Sequence, residues 1–169
     1  MTRTEAVNHT IGGAGRAVVV FTDLDGTLMD HDSYDVAPAQ AALEALAARS
    51  IPVVPVTSKT RTELEPLMAR LGLSGPAIAE NGAVIMNTDR SPDTADAREK
   101  ITLALDALPK DIRKAMICFR DMEIEQIVTA TGLTHGDAIR AAAREASEPF
   151  MWQGVAPPLT TLTEVLGET

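Results

Sequence analysis

Apolar positions along the chain alternate between short unbroken runs and segments with helical spacing. "AVVVF", residues 17–21, is a continuous β-forming run, the pattern of a buried strand. Residues 38–49, "PAQAALEALAAR", place Ala39, Ala42, Leu43, Leu46 and Ala47 on one helical face, with Pro38 in the first turn. "IPVVPV", residues 51–56, predicts a second strand, although Pro52 and Pro55 sit awkwardly in a ladder. A second helix is expected over 60–71, stopped by Gly72. "AIAENGAVIM", residues 77–86, predicts a strand, a tight Asn81-Gly82 turn and a returning strand. Strand, helix, strand, helix, strand is the order of a parallel sheet with helical crossovers.

The pattern changes after residue 86. Residues 87–96 are a polar connection, and the boundary between two modules is expected near 87–92. A helix is expected over 95–108, closed by Pro109, and a strand over 112–119. A short helix over 121–131 would stop at Gly132. Thr134 would cap a longer helix to about Ser147, with Asp137 at the third position and Pro149 as the stop. The prolines of 154–160 exclude regular helix there. Residues 1–16 read as a loose tail. Gly12, Gly13 and Gly15 precede the first strand instead of following it, so they do not form a nucleotide fingerprint.

Composition narrows the picture. The 169 residues are 45% hydrophobic but only 3% aromatic, so the core must be built from Ala, Val, Leu, Ile and Met. A net charge of −9 argues against a general nucleic-acid backbone binder. It leaves room for an anionic substrate, because a bound divalent cation reverses the local field. No run of apolar residues is long enough to predict a membrane span, and the N-terminus lacks the order of a secretory signal. Cys118 is the one cysteine, which excludes an intrachain disulfide and fits a reducing cytoplasm. Between Ile117 and Phe119 it reads as a small core residue. His9 and His135 have no partners at metal-ligand spacing.

Candidate chemistry concentrates in "FTDLDGTLMDHDSY", residues 21–34. If the first strand ends near Thr22, Asp23 and Asp25 sit at its C-terminal mouth, where open α/β sheets bind ligands. Gly26 permits a sharp turn. One carboxylate can attack phosphorus, and the other can protonate the leaving oxygen and then activate water. Mg²⁺ suits such all-oxygen ligands. The competing reading is an acidic turn capped by its own side chains. Thr57, in "VTSKT", falls at the end of the second strand, level with Asp23, where its hydroxyl would hold a phosphoryl oxygen. Lys59 is the nearest cation, a ligand of substrate or a solubilising helix residue. Ser58 and Thr60 read equally as helix caps. Glu80 and Asn81 follow the third strand at the same mouth, as substrate or supporting groups, while Asn81-Gly82 has a sufficient purpose in the hairpin. His31 and Asp32 would line the entrance or only shape the loop.

These residues resemble the haloacid dehalogenase-like phosphatases. "DLDGT" matches their first motif, and Thr57 holds the place of their second. The resemblance implies that Asp23 is the nucleophile and Asp25 the general acid/base. It also implies that both bind Mg²⁺, Asp25 through its backbone carbonyl as well. "FTDLDGTLMDHDSY", "PVVPVTSKTRTELEPL", "AENGAVI" and "REASEPF" are similar to the mannosyl-3-phosphoglycerate phosphatases, Mg²⁺-dependent enzymes that release mannosylglycerate and phosphate. Some relatives act on the glucosyl analogue. The implied fold is α/β, a partial Rossmann-like parallel core over 17–90 with an incomplete α+β cap over 91–169. The implied substrate is a small phosphorylated sugar-glycerate, which Arg144, Ser147 and Glu148 of the cap would meet. Without the resemblance, Arg144 and Glu148 are an ordinary helix-surface pair and Ser147 part of a helix end.

The family pattern also needs a later lysine and an acidic run that completes the metal site. No lysine follows Lys114, and Glu164 and Glu168 are the only acidic residues after Pro149. The expectation is a chain truncated within the cap, weakly active or inactive alone, with the first strand's outer edge open. Self-association or a complementing C-terminal fragment would cover that edge. A phosphatase for other sugar phosphates, or a non-catalytic binding protein that retains half the fold, are the competing functions.

Overall fold

The structure, a computed structural model, describes residues 18–30, 33–89, 94–154, 163, 164 and 167. The N-terminal tail, His31, Asp32 and most of the 154–160 segment lie outside the described residues. β1 (Val20–Thr22), α1 (Ala37–Ala47), β2 (Val53–Pro55), α2 (Arg61–Leu71), β3 (Ala77–Ala79) and β4 (Val84–Met86) follow in the expected order. β1 and β2 are parallel, with Val20 opposite Val53 and Thr22 opposite Pro55. β3 and β4 form the antiparallel hairpin.

Proline governs how β2 meets its neighbours. Pro52 offers its carbonyl to the Val20 amide at 2.9 Å, and Val56 donates to Thr22, so alternate residues of this stretch face β1. Pro55 falls on the opposite side and has no N–H to give β3. Contact with β3 is therefore confined to a parallel bridge between Val56 and Ile78, with Thr57 N–H on the Ile78 carbonyl at 2.9 Å. Two prolines thus fit a strand between two others because one uses only its carbonyl and the other lies where pairing stops.

Both helices of this half pack onto one apolar cluster. Leu43 of α1 and Leu64, Met68 and Leu71 of α2 join Leu24, Met29, Val53, Ala77, Ala79, Val84 and Met86. Thr60 and Glu63 close a reciprocal capping box at the start of α2, and Gly72 ends it at φ +68.

α3 (Ala97–Asp106), α4 (Lys110–Ala115), β5 (Met116–Cys118), α5 (Ile124–Thr131), α6 (His135–Ala142) and β6 (Phe150–Trp152) complete the described elements. A second cluster gathers Leu105, Leu108, Met116 and Cys118, with Phe150 and Trp152 against it. The strand expected over 112–119 is divided. Residues 110–115 are helical, with Asp111 in the first turn and Arg113 and Lys114 in the last, the charge order that suits a helix dipole. β6 was not expected. It pairs antiparallel with β5, Met116 opposite Trp152. The helix expected to run to Ser147 stops at Ala142, because the following backbone turns toward residues of the first half. Cys118 is fully buried, and burial pushes its thiol up from the usual value, as suits a core residue.

β1 pairs with β2 alone among the described residues, and Val18, Val19 and Phe21 are 55%, 45% and 60% exposed. No described helix is long and apolar enough to cross a membrane.

Candidate active site

Asp23 leaves the end of β1 into a turn organised by Leu24. The Leu24 side chain is fully buried, and its carbonyl accepts the amides of Thr27, Leu28 and Met29 at 3.0–3.1 Å. Its own N–H holds Asp23 Oδ1 at 2.7 Å. Gly26 takes φ +71 and donates to the Met29 carbonyl, so the chain reverses at once and presents Asp25 beside Asp23.

Thr22, Asp23, Asp25, Thr57, Ser58 and Asn81 line one open cleft of about 570 Å³. Its walls come from the ends of β1, β2 and β3, three segments far apart in sequence. Thr57 is 3% exposed, with its hydroxyl oxygen accepting the Lys59 amide at 3.2 Å. Lys59 reaches back to Asp25, Nζ to Oδ2 at 3.1 Å, and lies 5.5 Å from the centre of the Tyr34 ring. Lys59 thus brings a positive charge to Asp25, at the edge of the cleft that Asp23 also lines. Tyr34 was missed as a neighbour of this site, although it closes the acidic stretch and is the only tyrosine.

The remaining expected residues lie together, but against one another. Glu80 is 2% exposed, and its carboxylate accepts the amides of Glu145 and Ala146 at 2.8 and 3.0 Å and the Ser147 hydroxyl at 2.5 Å. Arg144 donates to the Ser58 carbonyl at 2.7 Å and to Ser147 at 3.3 Å. Glu148 accepts the Arg120 amide at 2.9 Å and Arg98 at 3.5 Å, with a side chain 1% exposed. Arg144 and Glu148 are not a helix-surface pair, because α6 ends before both. Further ties join the same halves. Thr60 donates to the Arg140 carbonyl at 2.8 Å, and Arg61 pairs with Glu145 at 2.7 Å.

Among the described residues no three carboxylate, imidazole or thiolate groups gather as a metal cluster. Asp23 Oδ2 and Asp25 Oδ1 make no hydrogen bond or ion pair with a described residue. An open cleft bordered by the carboxylates of Asp23 and Asp25 fits Mg²⁺, which takes all-oxygen ligands, keeps several waters and draws its remaining oxygens from a phosphate.

Comparison with known proteins gives a family and a fold. The family described as haloacid dehalogenase-like hydrolase matches residues 20–138. The sucrose-phosphatase of Synechocystis sp. PCC6803, solved with sucrose and phosphate, superposes with a TM-score of 0.55. It is 17% identical over 91% of this chain and 57% of that one. A hypothetical protein from Geobacillus kaustophilus HTA426 gives 0.51 at 14% identity, covering 90% and 76%. A HAD superfamily phosphatase of Bacteroides thetaiotaomicron gives 0.41 at 24% identity, covering 60% and 40%. The first two likenesses are of fold, and the chain spans 57% of the Synechocystis enzyme and 40% of the Bacteroides one.

Proposed function

The chain belongs to the haloacid dehalogenase-like hydrolases, and from that premise we propose that its cleft hydrolyses a sugar phosphate. One observation carries the reading: Asp23, Asp25, Thr57, Ser58 and Asn81 converge on a single cleft from three strand ends. Asp23 attacks phosphorus through its free oxygen, forming an aspartyl-phosphate as the bond to the leaving oxygen breaks. Asp25 gives its proton to that oxygen. Asp25 then takes a proton from water, which attacks phosphorus, releases phosphate and regenerates Asp23. The Thr57 hydroxyl and the Ser58 and Asn81 groups orient the phosphoryl oxygens. Mg²⁺ would be held by the carboxylate oxygen of Asp23 that does not attack and by the backbone carbonyl of Asp25, and would neutralise charge between the carboxylates and the phosphate.

The narrower substrate is mannosyl-3-phosphoglycerate, giving mannosylglycerate and phosphate. The motifs at 21–34, 52–67, 79–85 and 144–150 support it. The test is phosphate release from that compound with Mg²⁺, beside D23N and a panel of other sugar phosphates. Turnover abolished by D23N and selective for mannosyl-3-phosphoglycerate supports the full reading. Equal turnover across the panel sinks the narrow substrate and keeps the sugar phosphatase. Turnover that survives D23N sinks the mechanism.

A further inference from the structure

Glu80 is a buried carboxylate that the proposed reaction does not use, and it bonds in two directions. Its backbone N–H donates to the Lys59 carbonyl at 2.9 Å, and the next N–H, of Asn81, donates to Thr57 at 3.0 Å. Both residues sit in the left-handed region, at φ 49 and 57, a conformation rare outside glycine and asparagine. The side chain points the other way, into the 145–147 backbone and the Ser147 hydroxyl. A buried carboxylate is tolerated where such donors surround it.

These contacts close a ring. Ser147 donates to Glu80 and lies within hydrogen-bond reach of Arg144, which also donates to the Ser58 carbonyl. Lys59, the next residue, is tied back to Glu80. The ring therefore encloses the short stretch that carries Thr57 and Lys59. Lys59 is the residue whose ammonium meets Asp25. The Ser58–Lys59 backbone sets where the lysine stem begins, and hence how its ammonium reaches Asp25 and the Tyr34 ring 5.5 Å away.

We infer that Glu80 is the positioning residue of this site: its carboxylate, latched to 145–147, fixes the 57–59 loop and so holds Lys59 on Asp25. With its carboxylate engaged by 145–147, Glu80 acts through Lys59. The catalytic consequence rests on the proposed phosphatase reading, whereas the latch itself does not.

The test compares the parent chain with E80Q and S147A. Glutamine keeps the shape of glutamate but turns an N–H₂ toward donors, and S147A removes one donor without disturbing a charge. Circular dichroism checks the fold. Hydrogen exchange then follows the Glu145 and Ala146 amides. Acetylation by mass spectrometry follows Lys59, with the exposed Lys100 and Lys110 as internal references. The expected result for E80Q is exchange about tenfold faster and Lys59 acetylated several times faster, with Lys100 and Lys110 unchanged. S147A should move both readings in the same direction by less, and it carries the test alone if E80Q does not fold. Lys59 reacting at the parental rate in a folded variant whose 145–147 amides have loosened would overturn the proposal, because Glu80 would then hold that segment and nothing more. Unchanged exchange would overturn the latch outright. Neither readout needs turnover, so the activity of the parent chain bears on the phosphatase reading and not on Glu80. In an active chain, E80Q should lower kcat more than it raises KM.

Discussion

Lys59 and Asp25 form a 3.1 Å ion pair, with side chains 14% and 30% exposed, at the edge of the cleft that also holds Asp23. Two carboxylates one residue apart repel when both are ionised, and the nearest cation decides how far that repulsion is offset. Replacing Lys59 with methionine keeps much of the stem and removes the charge. The expected result is a folded chain whose phosphate release falls by about 10²-fold, mainly in kcat. Steady-state kinetics with Mg²⁺ checks this. A Lys59→Met chain at parental kcat would show that the pair is ornamental to the chemistry.

The turn beneath Asp25 yields a pair of stability predictions. Leu24 is fully buried, so Leu24→Ala should cost about 2–5 kcal/mol, from lost burial and the cavity left behind. Gly26 has open space for a Cβ but stands at φ +71, so Gly26→Ala should cost about 1–2 kcal/mol by backbone strain alone. Urea unfolding followed by circular dichroism ranks them. Equal costs would mean that the turn relaxes around one of the two changes.

Acid should weaken the chain through two aspartates outside the cleft. The Thr134 hydroxyl and then Arg140 hold Asp137 below its usual value of 3.8. Arg120 and then Arg113 do the same for Asp106. A carboxyl whose value is depressed in the folded state stabilises that state above its unfolded value, and the contribution disappears as pH falls through the folded one. The contribution of these two aspartates is thus expected to be flat above about pH 5 and to decline below 3.8. Asp137→Asn should make the decline shallower. Thermal melts across that range provide the check, and an identical slope in the variant would remove Asp137 from the account.

The outer edge of β1 sets the fourth expectation. Val18, Val19 and Phe21 are exposed beside a strand with one described neighbour. Apolar edges of this kind template pairing between chains, and a lysine on the edge suppresses it. Val19→Lys should shift sedimentation toward monomer at a concentration where the parent associates. A parent that is monomeric at all concentrations would leave the edge without this consequence.

How much of this was legible in sequence depended on distance along the chain. β1, β2 and the β3–β4 hairpin announce themselves through β-branched runs and through Gly26, Gly72 and Asn81-Gly82 at the turns. The topology of parallel strands then brings Asp23, Asp25, Thr57 and Asn81 to one mouth. Signals failed where partners are remote. β5 and β6 are three residues each, too short for a period, and their pairing spans more than thirty positions. Nothing near Glu80 announces donors sixty-five to sixty-seven residues away. Arg144 and Glu148 have the spacing of a helical pair, yet the helix stops before them because Glu80 claims the backbone between.

Residues 57–60 each answer to a different part of the molecule: Thr57 to β3, Ser58 to Arg144, Lys59 to Asp25 and Glu80, and Thr60 to the Arg140 carbonyl. The length of this stretch is therefore as constrained as its composition. The ties of Thr57 and Ser58, and that of Lys59 to Glu80, run through backbone atoms, so a substitution leaves them in place; only the Lys59–Asp25 and Thr60–Arg140 ties depend on a side chain. A single inserted or deleted residue would move all of them out of register together, so among homologues gaps should be excluded here even where the side chains vary.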